Sequence, residues 1–252
     1  QKESDHVFIS GNHLKEIMPN SKNFIIGELG FGTGLNFLLT WKLFKELKIK
    51  DGYLDYISIE GYPLMKNQMN KVHEKHPNLQ KLWVELQDAL PPLWSGIHRL
   101  NLNHGKVRLT LIYNDVLEAL KNSIFKADAW FLDGFSPNKN HDMWSLEVMS
   151  EIYRLTKPSG TFATFSSAGF VRRNLEKAGF DVKKIKGYNF KKEMSCGQKP
   201  GMEKSKEKFS KIVIVGGGVA GASIASSLRK RGYDPIVIEK NNKYVQKLIV
   251  RM

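Results

Sequence analysis

Short apolar runs bounded by turn residues alternate along the first 180 residues with longer segments of helical periodicity. The runs predict strands at 24–29, 56–60, 109–113, 129–133 and 160–165, and the longer segments predict helices at 36–47, 63–76, 143–155 and 169–178. Strands that alternate with helices pair in parallel and are covered on both faces. The pattern therefore predicts an α/β fold built on a doubly wound, mostly parallel sheet, which binds ligands beyond the carboxyl ends of its strands.

A glycine-rich loop closes the first predicted strand and opens the first helix. It places Glu28, Gly30, Gly32 and Gly34 in an E-x-G-x-G-x-G pattern, which differs from the G-x-G-x-x-G of dinucleotide-binding loops. Glycines let the backbone turn tightly and approach a ligand closely. Because an acidic residue before the loop is a poor neighbour for phosphate, we expect a cationic ligand, such as the amino group or sulfonium of S-adenosylmethionine.

Two further acidic residues follow the next strands. Glu60 ends the strand at 56–60, where a carboxylate can accept from both hydroxyls of a ribose, and Asp115 follows the strand at 109–113, where it can accept from an adenine amino group. The alternative is that each acid has no ligand and only caps the helix that comes after it. Together with the glycine loop, the two acids favour a site for S-adenosylmethionine.

The loop after the fourth predicted strand begins with Asp133 and continues Gly-Phe-Ser-Pro-Asn-Lys. An alkylamine with a pKa of about 10.4 is protonated at neutral pH and has no lone pair to offer. A catalyst of amine methylation must remove that proton and orient the nitrogen. We assign this catalytic role to Asp133. The alternatives are that Asp133 caps the helix near Met143 or that the loop is a surface turn.

Charge and cysteine content narrow the class of protein. The formal net charge is +14, of which +11 falls in residues 181–252, so a polyanion such as nucleic acid is a candidate partner. No apolar run approaches the roughly 20 residues of a membrane span. Cys196 is the single cysteine and the histidines lack metal-ligand spacing, so we expect neither a disulfide framework nor a metal site, and a reducing cytoplasmic location.

Several stretches resemble the MnmC family of bifunctional enzymes, which make 5-methylaminomethyl-2-thiouridine at the wobble position of certain bacterial tRNAs. The matching stretches are VFISGNHL (7–14), ELGFGTGLNFLLTW (28–41), ISIEGYPL (57–64), DAWFLDGFSPNKNHDMW (128–144), GTFATFSSAGFVRRNLEKAGF (160–180) and KGYNFKKEMSCG (186–197). The resemblance implies a Rossmann-like methyltransferase that transfers methyl from S-adenosylmethionine to the aminomethyl group of the modified uridine.

The resemblance also implies roles for individual residues. Glu28, the three loop glycines, Glu60, Asp115 and Asp133 lie on the family's motif positions, and Gly11 and Asn12 match a motif near the cofactor. Phe135 is expected to stack on the uracil ring, or else to be a core aromatic, and Lys139 to contact substrate or face water. For tRNA phosphates we expect the basic segment 183–192, with Lys191 and Lys192, and the pair Arg172 and Arg173.

Beyond a methyltransferase domain at 1–197 and a linker at 198–210, a second strand-turn-helix-strand unit occupies 211–252. Its glycines Gly216, Gly218 and Gly221 form G-x-G-x-x-G, and Glu239 ends its next strand. Within the resemblance this is the start of an FAD-dependent oxidoreductase domain. Because the chain begins at Gln1 and ends at Met252, we expect a missing start and a truncated βαβ unit that binds no FAD and performs no oxidation.

The sequence is also compatible with three other functions. The chain could be an FAD-dependent oxidoreductase that removes the carboxymethyl group of 5-carboxymethylaminomethyl-2-thiouridine, a binding module for tRNA or cofactor without turnover, or a methyltransferase of small amines. In the favoured interpretation, a separate flavoprotein or oxidoreductase domain supplies the aminomethyl substrate, and FAD belongs only to full-length relatives.

Overall fold

The computed structural model describes residues 1–49, 51–189, 193–201, 212–230, 233 and 235–240. The chain divides into two compact units, Gln1–Met202 and Glu203–Met252. The first unit holds an eight-stranded mixed sheet and the second a two-stranded parallel sheet with one helix. Of the linker proposed for 198–210, the structure describes residues 198–201, where β8 of the first unit runs to Gln198 and Lys199 donates a backbone hydrogen bond to Gly160; residues 202–210 lie outside the described residues.

The strands of the first unit are β1 (Asn23–Leu29), β2 (Tyr53–Glu60), β3 (Gly96–Leu102), β4 (Val107–Tyr113), β5 (Ala127–Leu132), β6 (Thr156–Thr164), β7 (Asp181–Lys186) and β8 (Glu193–Gln198). Its α-helices are α1 (Lys2–Ser4), α2 (Leu14–Ile17), α3 (Leu35–Glu46), α4 (Lys66–His73), α5 (Gln80–Ala89), α6 (Val116–Lys121), α7 (Leu146–Arg154) and α8 (Gly169–Ala178). A π-helical turn at Asp5–Ser10 and short 3₁₀ turns complete it. The second unit contains β9 (Val213–Val215), α9 (Val219–Lys230) and β10 (Ile236–Ile238).

The strand order of the large sheet is β3-β4-β2-β1-β5-β6-β8-β7. The five central strands from β4 to β6 are parallel, which confirms the doubly wound, mostly parallel fold that the sequence predicts. β3 is antiparallel to β4, and β8 is antiparallel to both β6 and β7. From β1 the strand order runs outward through β2 to one side and through β5 to the other, so the carboxyl ends of β1 and β5 flank the crevice in which such sheets bind ligands.

Two apolar cores cover the two faces of the sheet. One packs α3 and α5 with the amino-terminal turns against one face, around Trp41, Trp83 and Tyr56. The other packs α6, α7 and α8 against the opposite face, around Trp130 and Trp144. Strands buried on both faces have few alternative registers, so the loops at their carboxyl ends are held on a rigid frame. Among the helices that the structure describes, none is long and apolar enough to cross a membrane.

Candidate active site

A cavity of about 1070 Å³ opens at the carboxyl ends of β1, β2 and β5. The glycine loop forms one wall, and the loops after β2, β4 and β5 form the others. Its acidic lining residues are Glu60, Asp115, Asp133, Asp142 and Glu147, and the described lining includes no lysine, arginine or histidine. A cavity of this size and acidity suits a large ligand that carries positive charge.

The glycine loop brings the backbone of β1 against the loop after β5. Gly30 has a φ of +85°, and a Cβ at this position would lie 2.6 Å from the carbonyl oxygen of Asp133. Gly32 also has a positive φ of +51°, but a Cβ there would meet no atom within 4 Å. The loop therefore touches the rest of the site at Gly30 and leaves open space beside Gly32, where a cofactor can approach the backbone.

Glu60 holds its carboxylate at the rim of this open space. Although the side chain is largely buried, one oxygen accepts a hydrogen bond from the Gly32 amide at 2.9 Å and the other from the Tyr62 amide at 2.7 Å. A carboxylate has about four acceptor sites, so each oxygen can accept a further hydrogen bond. The arrangement fits a ligand with a vicinal pair of hydroxyls.

Asp115 performs the helix-capping role that was the alternative to adenine binding. Its Oδ1 accepts hydrogen bonds from the amides of Leu117 at 2.9 Å and Glu118 at 3.1 Å, at the start of α6. The side chain is exposed and also lines the cavity. Capping and ligand contact are compatible here, because both capping bonds go to one carboxylate oxygen.

The position of Glu28 differs from the prediction that it faces a cationic ligand. Its side chain is 1% exposed and does not line the cavity; it accepts hydrogen bonds from the Ser58 hydroxyl at 2.7 Å and from the Asn36 amide at 3.1 Å. Burial raises the pKa of Glu28 to about 8. Asn36, which does line the cavity, also donates to Oδ2 of Asp133 at 2.8 Å and so links the two carboxyl groups.

The raised pKa of Glu28 predicts a pH dependence of stability. Between the unfolded pKa of about 4.3 and the folded value of about 8, the folded protein holds a proton that the unfolded chain releases. The free energy of unfolding should therefore fall as pH rises through this window, by at most about 1.4 kcal/mol per pH unit. In Glu28→Gln this component is absent. Urea denaturation at several pH values measures it.

Exposed Glu74 supplies the matched control, because Glu74→Gln removes a carboxylate from the surface of the same unit. Equal pH slopes for the wild type and Glu28→Gln would show that Glu28 is ionised in the folded protein at neutral pH.

Asp133 follows β5 directly and lines the cavity. It does not cap the helix near Met143, because the side-chain cap of α7 is Ser145, whose hydroxyl accepts from the Val148 amide. The loop after Asp133 is anchored by Trp144, whose indole nitrogen donates to the Phe135 carbonyl oxygen at 3.0 Å. Asp133 is thus held by Asn36 on a braced loop, with access to the cavity.

Phe135 is 54% exposed and lines the cavity, so the alternative that it is a core aromatic is wrong. Its ring meets that of Tyr62 in a T-shaped arrangement, with centroids 6.3 Å apart. Tyr62 was not identified from the sequence; the available signal was an aromatic residue two positions beyond the acid that ends β2.

A second residue missed from the sequence, His73, supports the glycine loop. Its side chain is buried at the end of α4, stacks on Trp83 with ring centroids 4.2 Å apart, and donates from Nε2 to the Thr33 carbonyl oxygen at 2.7 Å. Burial lowers the pKa of His73, which favours the neutral ring. A lone histidine in a predicted helix gives no sequence signal for a contact with the glycine loop.

Gly11 and Asn12 do not line the cavity, contrary to the motif-based expectation. Asn12 is fully buried: its amide donates to the carbonyl oxygens of Phe8 and Trp130, and its Oδ1 accepts from the Thr161 hydroxyl at 2.7 Å. A Cβ on Gly11 would lie 2.1 Å from the Val7 carbonyl oxygen. Asn12 thus ties the amino-terminal turns to β5 and β6, and Gly11 allows their close approach to the sheet at Ala163.

None of the described basic residues predicted for tRNA lines the cavity. Lys139 is exposed on the loop after β5, and Arg172 and Arg173 lie in the first turns of α8, which begins at the same edge of the sheet. The exposed β7 carries Lys183, Lys184 and Lys186, whereas Lys191 and Lys192 lie outside the described residues. No group of three or more potential ligands that could bind a metal occurs in the described part of the chain.

The second unit has the local geometry of a dinucleotide-binding turn. Gly216 has a φ of +101°, and a Cβ on Gly221 would lie 1.8 Å from the Gly216 carbonyl oxygen, so α9 can pack this closely only with glycine. Gly218 precedes α9 with open space around its Cβ position, and the Glu239 carboxylate accepts from the Gly217 amide. The predicted fingerprint therefore forms one compact turn.

Comparison with known proteins agrees with this division. Residues 77–200 match the model of a family described as S-adenosyl-L-methionine-dependent methyltransferase, and residues 214–244 match an NAD(P)-binding Rossmann-like domain. Proteins named tRNA 5-methylaminomethyl-2-thiouridine biosynthesis bifunctional protein MnmC are similar: that of Marinomonas sp. is 37% identical over 96% of this chain, and that of Marinobacter nauticus is 44% identical over 94%. The chain spans 39% of the length of each.

Among solved structures, MnmC2 from Aquifex aeolicus superposes with a TM-score of 0.61 at 22% identity, covering 99% of this chain and 65% of that one. At this level of identity the likeness establishes the fold, which is that of S-adenosylmethionine-dependent methyltransferases.

Proposed function

The chain is homologous over nearly its whole length to part of the bifunctional MnmC proteins, and on that premise we propose that it methylates tRNA. The reaction transfers a methyl group from S-adenosylmethionine to the aminomethyl group of wobble 5-aminomethyl-2-thiouridine and gives 5-methylaminomethyl-2-thiouridine. The observation that carries the proposal is that all the charged residues described in the lining of the cavity beside the glycine loop are acidic, because this matches a cationic cofactor and an ammonium-bearing substrate.

In this proposal, different residues of the cavity bind the cofactor and remove the proton. The open backbone at Gly32 and the carboxylate of Glu60 are suited to hold the nucleoside part of the cofactor. S-adenosylmethionine, when bound, supplies an electrophilic methyl group on a sulfonium. Asp133 accepts the proton of the substrate ammonium, so that the nitrogen gains the lone pair that forms the new N–C bond as the S–C bond breaks. Asn36 keeps the Asp133 carboxylate directed by its hydrogen bond at 2.8 Å.

In this proposal, the basic residues outside the cavity bind the tRNA. The net charge of +14 and the lysines of β7 favour contact with phosphates, while the acidic cavity receives only the modified base. This separation of charge excludes phosphate from the reaction centre and predicts salt-dependent binding of tRNA. The proposal places the reaction in the cytoplasm, where tRNA is modified.

The second unit belongs, in this proposal, to the flavin-dependent half of the MnmC relatives. The chain alone is expected to hold no FAD and to perform no oxidation, because the apolar side chains of β9 and β10 are exposed at Val213, Val215, Ile236 and Ile238. A two-stranded sheet with uncovered apolar positions provides little of the core that a flavin domain needs. A separate flavoprotein or oxidoreductase domain then supplies the aminomethyl substrate.

Methyl transfer to tRNA and to the free nucleoside tests the proposal. With labelled S-adenosylmethionine, we expect label in tRNA that carries 5-aminomethyl-2-thiouridine, and kcat/KM at least about 100-fold lower for the isolated 5-aminomethyl-2-thiouridine nucleoside, which lacks the phosphates. Equal kcat/KM for both would instead identify a methyltransferase of small amines. Binding of S-adenosylmethionine without transfer to either would indicate a binding module.

A further inference from the structure

Two exposed aromatic rings face each other at the mouth of the cavity. Tyr62 is 75% exposed and Phe135 is 54% exposed, and their ring centroids lie 6.3 Å apart with planes inclined by 70°. They come from the loops after β2 and β5, the two strands that flank β1 in the sheet. The rings therefore meet across the entrance that lies above the glycine loop.

The backbone under both rings is fixed although the rings are exposed. The Tyr62 amide donates to Glu60 at 2.7 Å, and the Phe135 carbonyl oxygen accepts from the buried Trp144 indole at 3.0 Å. Because the backbone is already fixed, only the torsions of the two aromatic side chains remain to be ordered when they bind a flat partner.

We infer that Tyr62 and Phe135 together form a stacking site for the pyrimidine ring of the target nucleotide, and that Tyr62 contributes to selection of tRNA rather than to cofactor binding. This inference rests on the proposed function. Proteins read single-stranded bases by stacking them on aromatic side chains. Because Phe135 lies two residues beyond Asp133, a base held by this pair lies beside the carboxylate that serves its aminomethyl arm.

Trp94 offers a matched control for a merely exposed aromatic. It is 73% exposed, nearly as much as Tyr62, but it does not line the cavity. If any surface aromatic could capture tRNA, removal of Trp94 would have the same effect as removal of Tyr62.

The experiment compares Tyr62→Ala, Tyr62→Phe, Phe135→Leu and Trp94→Ala in the full chain. We expect Tyr62→Ala and Phe135→Leu to lower kcat/KM for aminomethyl tRNA by roughly 10-fold or more, mainly through KM. Tyr62→Phe, which keeps the ring, and Trp94→Ala should stay within about 2-fold of the wild type. The Kd of S-adenosylmethionine, measured by calorimetry, should be unchanged in Tyr62→Ala.

Two results would overturn the inference while leaving the proposed function intact: wild-type kcat/KM for tRNA in Tyr62→Ala, or a weakened Kd of S-adenosylmethionine in that variant, which would place the ring on the cofactor. A wild-type protein that transfers no methyl to tRNA would remove the proposed function and this inference with it.

Discussion

Replacement of Asp133 by Asn is expected to lower kcat for methyl transfer by roughly 10²- to 10⁴-fold. The substitution keeps the size of the side chain and its place beside Asn36, but the amide cannot accept the proton of a substrate ammonium. An amine that keeps its proton has no lone pair, so the loss falls on the chemical step. Single-turnover rates with saturating tRNA and S-adenosylmethionine measure it.

The control is Asp142→Asn, which removes another carboxylate of the same cavity. It should change kcat by less than about 10-fold, because the Asp142 side chain is exposed and solvent screens its charge. A normal single-turnover rate in Asp133→Asn, with the Kd of S-adenosylmethionine intact, would show that the proton leaves by another route. Equal losses in both variants would attribute the effect to the total charge of the cavity.

The central strands could be predicted because each is an apolar run with buried residues on both faces. These five strands, β1, β2, β4, β5 and β6, begin up to four residues before their predicted starts. The first residues of a strand, such as Tyr53 and Thr156, carry no strong apolar signal. Helix α8 has the predicted bounds, because Gly179 ends it with a φ of +112°. The predicted helix at 63–76 is shorter, at Lys66–His73.

The edge strands could not be predicted from apolar patterning. β7, with the sequence DVKKIK, is exposed at five of its six positions, so it appeared only as a basic segment. β3 pairs with β4 as the antiparallel edge, and its exposed and less exposed residues alternate, but Ile97 lies on the exposed side and His98 on the other, so the apolar residues of the sequence do not follow that alternation. Strand pairing at an edge depends on backbone hydrogen bonds, which sequence patterns do not report.

Some residues of the site could likewise be predicted from the sequence and others could not. The acids and glycines were identified because their spacing along β1, β2, β4 and β5 leads to one edge of the sheet. The burial of the other predicted residues could not be read from the sequence. Glu28 lies behind Asn36, and the side chain of Asn12 already has three hydrogen-bonding partners. Asn36 and Tyr62 were missed because one reads as an ordinary helix residue and the other as an ordinary turn residue.

The acidic cavity predicts discrimination between the two precursor forms of the uridine. The aminomethyl form carries only an ammonium, whereas the carboxymethylaminomethyl form adds a carboxylate next to the reacting nitrogen. Two like charges about 6 Å apart at an effective dielectric constant of 20 repel by roughly 3 kcal/mol. With five carboxylates in the lining and no described basic residue to pair with the extra charge, we expect at least about 100-fold lower kcat/KM for the carboxymethyl form.

The exposed apolar positions of β9 and β10 add a second reason for this discrimination. If the second unit holds no flavin, as we propose, the chain does not remove the carboxymethyl group first. Both reasons predict that an added flavoprotein able to remove the carboxymethyl group restores transfer to the carboxymethyl tRNA after a lag.

The most direct test is transfer of labelled methyl from S-adenosylmethionine by the purified chain to two preparations of one tRNA, one with 5-aminomethyl-2-thiouridine and one with the carboxymethyl form. We expect stoichiometric label in the first and none above background in the second, with 5-methylaminomethyl-2-thiouridine as the labelled nucleoside after digestion. Equal labelling of both would show either that the cavity accepts the carboxymethyl form or that this chain itself removes the carboxymethyl group. No label in either would contradict the methyltransferase itself.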